Sequence, residues 1–226
     1  MEKKAGLLLV VFYFSIIFFF KTQASENILL RINDNIFWDK YFELFFYMFF
    51  TLLLTISYRS VLVESFRDFI ENVDKYLKKG LIVYIITVFI MVITAVILSR
   101  FLIGESPNEI AVKQSMENNI VIMSFVTCLI GPFVEEMIFR GILYEQIRNI
   151  KDNKLGMYLS IIIVSLLFAL YHFDFKDISN RDYKQILVYL PLFFEGIGLS
   201  YLYERTNNIF TPLIVHIFLN ILASYG

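Results

Sequence analysis

Residues 81–99 read LIVYIITVFIMVITAVILS, nineteen positions without a charge. At 1.5 Å per residue such a helix is roughly 28 Å long, close to the thickness of a bilayer's hydrocarbon core. In hydrocarbon every backbone N–H and C=O must find a partner within the protein, so a run of this kind dictates a helix. Residues 5–20 (AGLLLVVFYFSIIFFF) repeat the pattern. Composition agrees: 18% of the 226 residues are charged and 58% are apolar, with a mean hydropathy of +0.66. Soluble domains carry roughly 25% charged residues, so a disordered chain and a water-soluble domain are both excluded. The net charge of −1 gives no field that would gather nucleic acid. A single cysteine, Cys128, lies in an apolar run; it excludes an internal disulfide framework and reads as a small packing residue.

Seven apolar stretches are read as spans, at 5–20, 41–58, 80–103, 118–146, 155–172, 186–203 and 209–225. The fold expected is all-α, a polytopic transmembrane helical bundle of about seven spans with a polar intramembrane cavity. Residues 27–38 are too short and polar to span and read as an interfacial segment anchored by Trp38 and Tyr41. Residues 59–79 place apolar side chains at helical spacing among charges and are expected to form one amphipathic helix on the membrane surface. Thr22-Gln23-Ala24 faintly resembles a signal-peptide cleavage site, but Lys21 beside it and the later spans favour a retained first helix. Segments 1–4, 59–79, 148–154 and 204–208 hold eleven Lys and Arg, against seven in 21–40, 104–118 and 173–184. That bias puts the N-terminus on the cytoplasmic side. Two regions are expected, an N-terminal transmembrane region at 1–117 and a core at 118–226 that holds the polar motifs.

An ionisable side chain inside a span costs about 2.5–3.5 kcal/mol on insertion scales, so each one is a functional candidate. Three places concentrate that cost. In Gly131-Pro132-Phe133-Val134-Glu135-Glu136-Met137-Ile138-Phe139-Arg140, spacing of four pairs Glu136 with Arg140 and turns Glu135 about 100° away. Pro132 after Gly131 is expected to break the preceding helix and leave the acids near a new N-terminus. In Phe168-Ala169-Leu170-Tyr171-His172, Phe168 and His172 share a face; in His216-Ile217-Phe218-Leu219-Asn220, His216 and Asn220 do. Both histidines of the chain fall in these apolar runs, which points to one shared site. The polar turn at 151–154 makes a hairpin that sets Glu136 and His172 at similar height. Glu195, in Phe193-Phe194-Glu195-Gly196, sits where a neutral residue is expected; it either faces the same cavity and binds substrate or, the favoured reading, snorkels to the nearer interface.

The order Glu-Glu-x-x-x-Arg, Phe-x-x-x-His, His-x-x-x-Asn resembles the CPBP family of CAAX-processing and bacteriocin-processing intramembrane proteases, which includes the type II CAAX prenyl endopeptidases. Gly141, Tyr144, Gly196, Gly198, Tyr201, Thr206-Asn207-Asn208-Ile209 and Pro212 extend the likeness, which covers about residues 118–225. It implies a glutamate-type intramembrane endopeptidase. In that scheme Glu135 is general base on a water and His172 holds or shares that water's proton. His216 and Asn220 stabilise the tetrahedral oxyanion, with Glu136 and Arg140 in support. No cofactor is implied, and the partners implied are the lipid bilayer and a membrane-associated peptide or protein, in a bacterial cell membrane.

Three rivals use the same residues. A non-catalytic membrane scaffold or bacteriocin self-immunity protein would carry the polar network for binding alone. A metal-dependent protease would use two histidines and a glutamate around zinc. Against it, the chain has no His-Glu-x-x-His, and apart from Asn220 no second ligand lies one turn from either histidine. A transporter would use the same acids and imidazoles as a proton relay.

Overall fold

The computed structural model describes residues 2–20, 36–100, 110, 113, 119–173 and 185–225. Among these residues there are helices and no strand. The helices are α1 (Glu2–Phe20), α2 (Ile36–Ser57), α3 (Arg59–Glu71), α4 (Val73–Ser99), α5 (Ile120–Arg148), α6 (Lys154–Tyr171), α7 (Leu190–Thr206) and α8 (Phe210–Tyr225). A 3-10 turn, Gln185–Tyr189, leads into α7. Most of the interfacial segment 27–38 and the Thr22-Gln23-Ala24 site lie outside the described residues.

Three of these helices, α4, α5 and α6, are long and apolar enough to cross a membrane, and α2 with α3 makes a fourth candidate bent by 86°. The protein is therefore a multi-pass membrane protein. Helices α7 and α8 are slightly shorter than the sequence runs that predict them. Helix α8 has 16 residues, about 24 Å of rise, less than the roughly 30 Å of hydrocarbon. The amphipathic stretch 59–79 is not one helix. Asn72 leaves helical geometry at φ −118°, ψ 21°, and its side chain donates to the Asp68 carbonyl at 3.1 Å and to Asp68 Oδ1 at 3.0 Å. Residues 73–79 thus become the first turns of α4.

Helix α5 is the axis of the bundle. Helices α1 and α2 pack on its two halves, and α6, α7 and α8 surround it. Of its apolar window 56% is buried, against 11% for α4, whose Ile82, Ile85, Phe89 and Val96 face outward. Lipid is as apolar as these side chains, so close packing of small residues has to hold the helices together. Gly196 of α7 meets Ser165 of α6 so closely that a Cβ there would lie 2.9 Å from the Ser165 Cα. Gly198 on the same helix leaves room for the Thr87 hydroxyl of α4, and Gly80 approaches Val215 of α8.

Pro132 does not break α5. The helix widens instead into a π turn over Val126–Ile130, returns to α geometry at Gly131–Glu136, and widens again over Met137–Tyr144. In the first π turn the Gly131 N–H reaches back to the Val126 carbonyl, five residues earlier. Only a glycine allows this approach, since a Cβ at 131 would stand 2.8 Å from that oxygen. The acids therefore sit in mid-helix and not at a helix N-terminus.

The turn between α7 and α8 is fixed by polar side chains. Asn207 closes α7 in the left-handed region at φ 49°, a conformation asparagine tolerates. Asn208, fully buried, donates to the Ser65 carbonyl at 2.7 Å and to Asp68 Oδ2 at 2.8 Å. Its own Oδ1 accepts from the Phe210 N–H at 3.0 Å, capping α8. This anchoring to α3 sets the register of α8 and so the place of His216.

Candidate active site

Glu136 and Arg140 lie one turn apart and both are fully buried. Glu136 Oε1 accepts from Arg140 Nη1 at 2.6 Å and from His216 Nδ1 at 2.8 Å. A carboxylate that takes the Nδ1 proton fixes the ring and turns Nε2 outward. That Nε2 stands 3.6 Å from Glu135 Oε2 and 3.6 Å from Glu195 Oε1. Arg140 also donates from Nη2 to the Gly196 carbonyl at 3.3 Å and lies 4.8 Å over the Phe168 ring. Its guanidinium thereby binds α5, α6 and α7 together.

His172 ends α6. Its Nδ1 is 2.9 Å from the Phe168 carbonyl one turn back, and its Nε2 is 4.0 Å from Glu135 Oε2. A carbonyl can only accept, so Nδ1 carries the proton and Nε2 presents a lone pair when the ring is neutral. Phe168 packs against both imidazoles, with ring centroids 4.9 Å from His172 and 5.7 Å from His216. Glu135, His172 and His216 thus converge from α5, α6 and α8, with Glu136 and Arg140 behind them.

Asn220 is tied to the first π turn of α5. Its Nδ2 donates to the Thr127 carbonyl at 2.8 Å. Thr127 lies in the first π turn, where its α-helical donor, the Gly131 N–H, is spent on Val126. Its π-helical donor would be residue 132, a proline without an N–H. The amide of Asn220 therefore satisfies a carbonyl that the Gly-Pro pair leaves orphaned.

Glu195 does not reach the interface. It is 3% exposed and packs in the same cluster, because Gly196 holds α7 tightly on α6 and turns the acid inward. Three tyrosines, which motif reading passes over, adjoin the site. The Tyr13 hydroxyl donates to that of Tyr171 at 2.8 Å, and the Tyr47 and Tyr171 hydroxyls are 2.9 Å apart. Tyr171 packs on His172 with ring centroids 4.7 Å apart. Two of the three come from α1 and α2, outside the motif-bearing half. The adjacency of Tyr171 to His172 was the one sequence signal available; nothing marked Tyr13 or Tyr47 among fourteen tyrosines.

Among the described residues no three His, Cys, Asp or Glu side chains are disposed to hold a metal ion.

Residues 117–222 match the family model "Type II CAAX prenyl endopeptidase Rce1-like". The membrane-embedded CAAX protease MroQ of Staphylococcus aureus (strain USA300) is 32% identical over 104 residues, 45% of this chain and 37% of that protein. YdiL of Bacillus subtilis (strain 168), provisionally named a membrane peptidase, is 28% identical over 116 residues, 51% of this chain and 41% of that protein. The chain therefore matches about two-fifths of the length of these curated relatives. No solved structure matches it. With the three motifs in order on α5, α6 and α8, residues 117–222 are similar to the Rce1-like family of type II CAAX prenyl endopeptidases.

Proposed function

We propose that the protein is an intramembrane endopeptidase of glutamate type, hydrolysing a peptide bond of a membrane-associated protein or peptide in a bacterial cell membrane. The observation that carries this reading is the convergence on Glu135 of two imidazole Nε2 atoms, at 3.6 Å and 4.0 Å, each with its Nδ1 already engaged. Both separations exceed a direct hydrogen bond, so neither ring ties up the Glu135 carboxylate, and we take the nucleophile to be a water beside it. Glu135 accepts a proton from that water as the water oxygen bonds to the peptide carbonyl carbon. His172 Nε2 orients the water and shares its proton.

His216 Nε2–H faces the developing oxyanion, with Glu136 stabilising the imidazolium and Arg140 holding Glu136. Asn220 contributes through its second amide hydrogen, since an amide carries two and one suffices for Thr127. Each well-placed oxyanion donor contributes about 3–4 kcal/mol.

We also read the shorter apolar helices as completing a bundle of about seven spans around a polar cavity between α5, α6, α7 and α8. Residues 118–226 form the reacting core, and residues 1–117 buttress it.

The test is purified protein in detergent with a quenched fluorescent peptide library, with and without a chelator. Glu135→Ala is expected to abolish cleavage while the protein still inserts and purifies as wild type. Retained cleavage removes the base from the scheme, and a chelator-sensitive activity replaces it with a metal.

A further inference from the structure

Glu195 has no task in that reaction, although it lies against the reacting groups. Its Oε1 and Glu135 Oε2 flank one nitrogen, His216 Nε2, at 3.6 Å each. Both residues are more than nine-tenths buried, and among the described residues neither of these oxygens has a hydrogen-bond partner. One ring nitrogen carries at most one proton, so it cannot satisfy two carboxylates.

Charge makes the same point. Glu135, Glu136 and Glu195 bring three acids to the cluster, against Arg140 and a His216 whose two nitrogens both face carboxylates. Uncompensated charge is costly away from water. Glu136 is occupied by Arg140 and His216, and His172 has its Nδ1 on the Phe168 carbonyl and its Nε2 4.0 Å from Glu135 Oε2, beyond hydrogen-bond reach. The other ionisable groups nearby, Tyr13 on α1, Tyr47 on α2 and Tyr171 on α6, are bound to one another. The missing proton falls to Glu135 and Glu195.

We infer that Glu195 is a second acid of the reaction site, and that Glu195 and Glu135 hold one proton between them across His216 Nε2. The role of that proton rests on the proteolytic reading; its existence does not. Glu135, unprotonated, takes a proton from the attacking water as the C–O bond forms. When the C–N bond breaks, Glu195 gives its proton to the leaving nitrogen. One water is consumed, a carboxyl and an amine are released, and the proton left on Glu135 returns the pair to its starting count. Two carboxyls that share one proton divide the roles of base and acid in this way in other hydrolases.

Infrared difference spectroscopy of the full-length protein in nanodiscs at neutral pH tests the pair without any substrate. The wild type is expected to show a protonated-carboxyl C=O band that is lost in both Glu195→Gln and Glu135→Gln and regained in Glu195→Asp. A band absent from wild type, or unchanged by Glu195→Gln, overturns the proposal. The same preparations are assayed on the peptide library, where Glu195→Gln is expected to lower kcat about 10²-fold at unchanged KM. If the band behaves as expected and wild type cleaves nothing, the proton pair stands and proteolysis falls. If wild type cleaves and the band ignores Glu195, the pair falls and proteolysis stands.

Discussion

Glu135 and Glu136 are neighbours with opposite environments. Glu136 Oε1 receives two strong donors, Arg140 Nη1 and His216 Nδ1, whereas Glu135 Oε2 has imidazole nitrogens only at 3.6 Å and beyond. A buried ion pair that loses one partner costs about 3–5 kcal/mol, because the survivor keeps its desolvation penalty. Glu136→Gln is therefore expected to lower the thermal unfolding midpoint in detergent and to cut cleavage by roughly 10³–10⁴-fold, as happens when a carboxylate no longer sets its imidazole's tautomer. Glu135→Gln is expected to lose cleavage while its midpoint stays level or rises, since that carboxylate is held in an unsatisfied state for chemistry. Equal destabilisation by the two variants would contradict this division of labour.

At the scale of the element, α5 shows what spacing rules reveal and what they hide. The pairing of Glu136 with Arg140 was legible because four residues make one turn in any regular helix. The π turns were not, since Pro132 after Gly131 reads equally as a break and as a bulge. What decides is tertiary: Asn220 of α8 supplies the donor that Pro132 lacks. Glu195 is ambiguous in sequence for a related reason, as periodicity cannot tell an acid that faces inward from one that snorkels, and the close Gly196–Ser165 approach turns it inward. Leaving a buried carbonyl unpaired costs about 1–3 kcal/mol, so Asn220→Ala is expected to destabilise by that amount. Pro132→Ala restores a backbone N–H at the π turn. In that background Asn220→Ala is expected to cost less, with a coupling energy of about 0.5–2 kcal/mol in a double-mutant cycle of thermal or denaturant unfolding. Strict additivity would mean that the amide and the missing N–H are unrelated.

Across the whole molecule, the reacting groups are held by contacts far from them. Asp68 on α3 accepts from the Tyr76 hydroxyl of α4 at 2.7 Å, from Asn208 Nδ2 at 2.8 Å and from Asn72 Nδ2 at 3.0 Å. One carboxylate thus joins α3, α4 and the turn that starts α8, the helix of His216. Its donors, Tyr76 foremost and then Asn208, hold the Asp68 carboxyl below its ordinary value of 3.8. A group whose value is lower in the folded state than in the unfolded one releases its proton more readily when folded. The stability it adds is full above the unfolded value and fades as pH falls through the folded one. Wild type is therefore expected to exceed Asp68→Asn in unfolding midpoint at neutral pH, with the gap closing on acidification below about pH 4. A gap that stays constant over that range would assign the variant's loss to packing and not to the carboxylate's charge. Because the same contacts set the register of α8, Asp68→Asn is also expected to lower cleavage at neutral pH, with the loss shared by Asn208→Ala and not deepened when the two are combined.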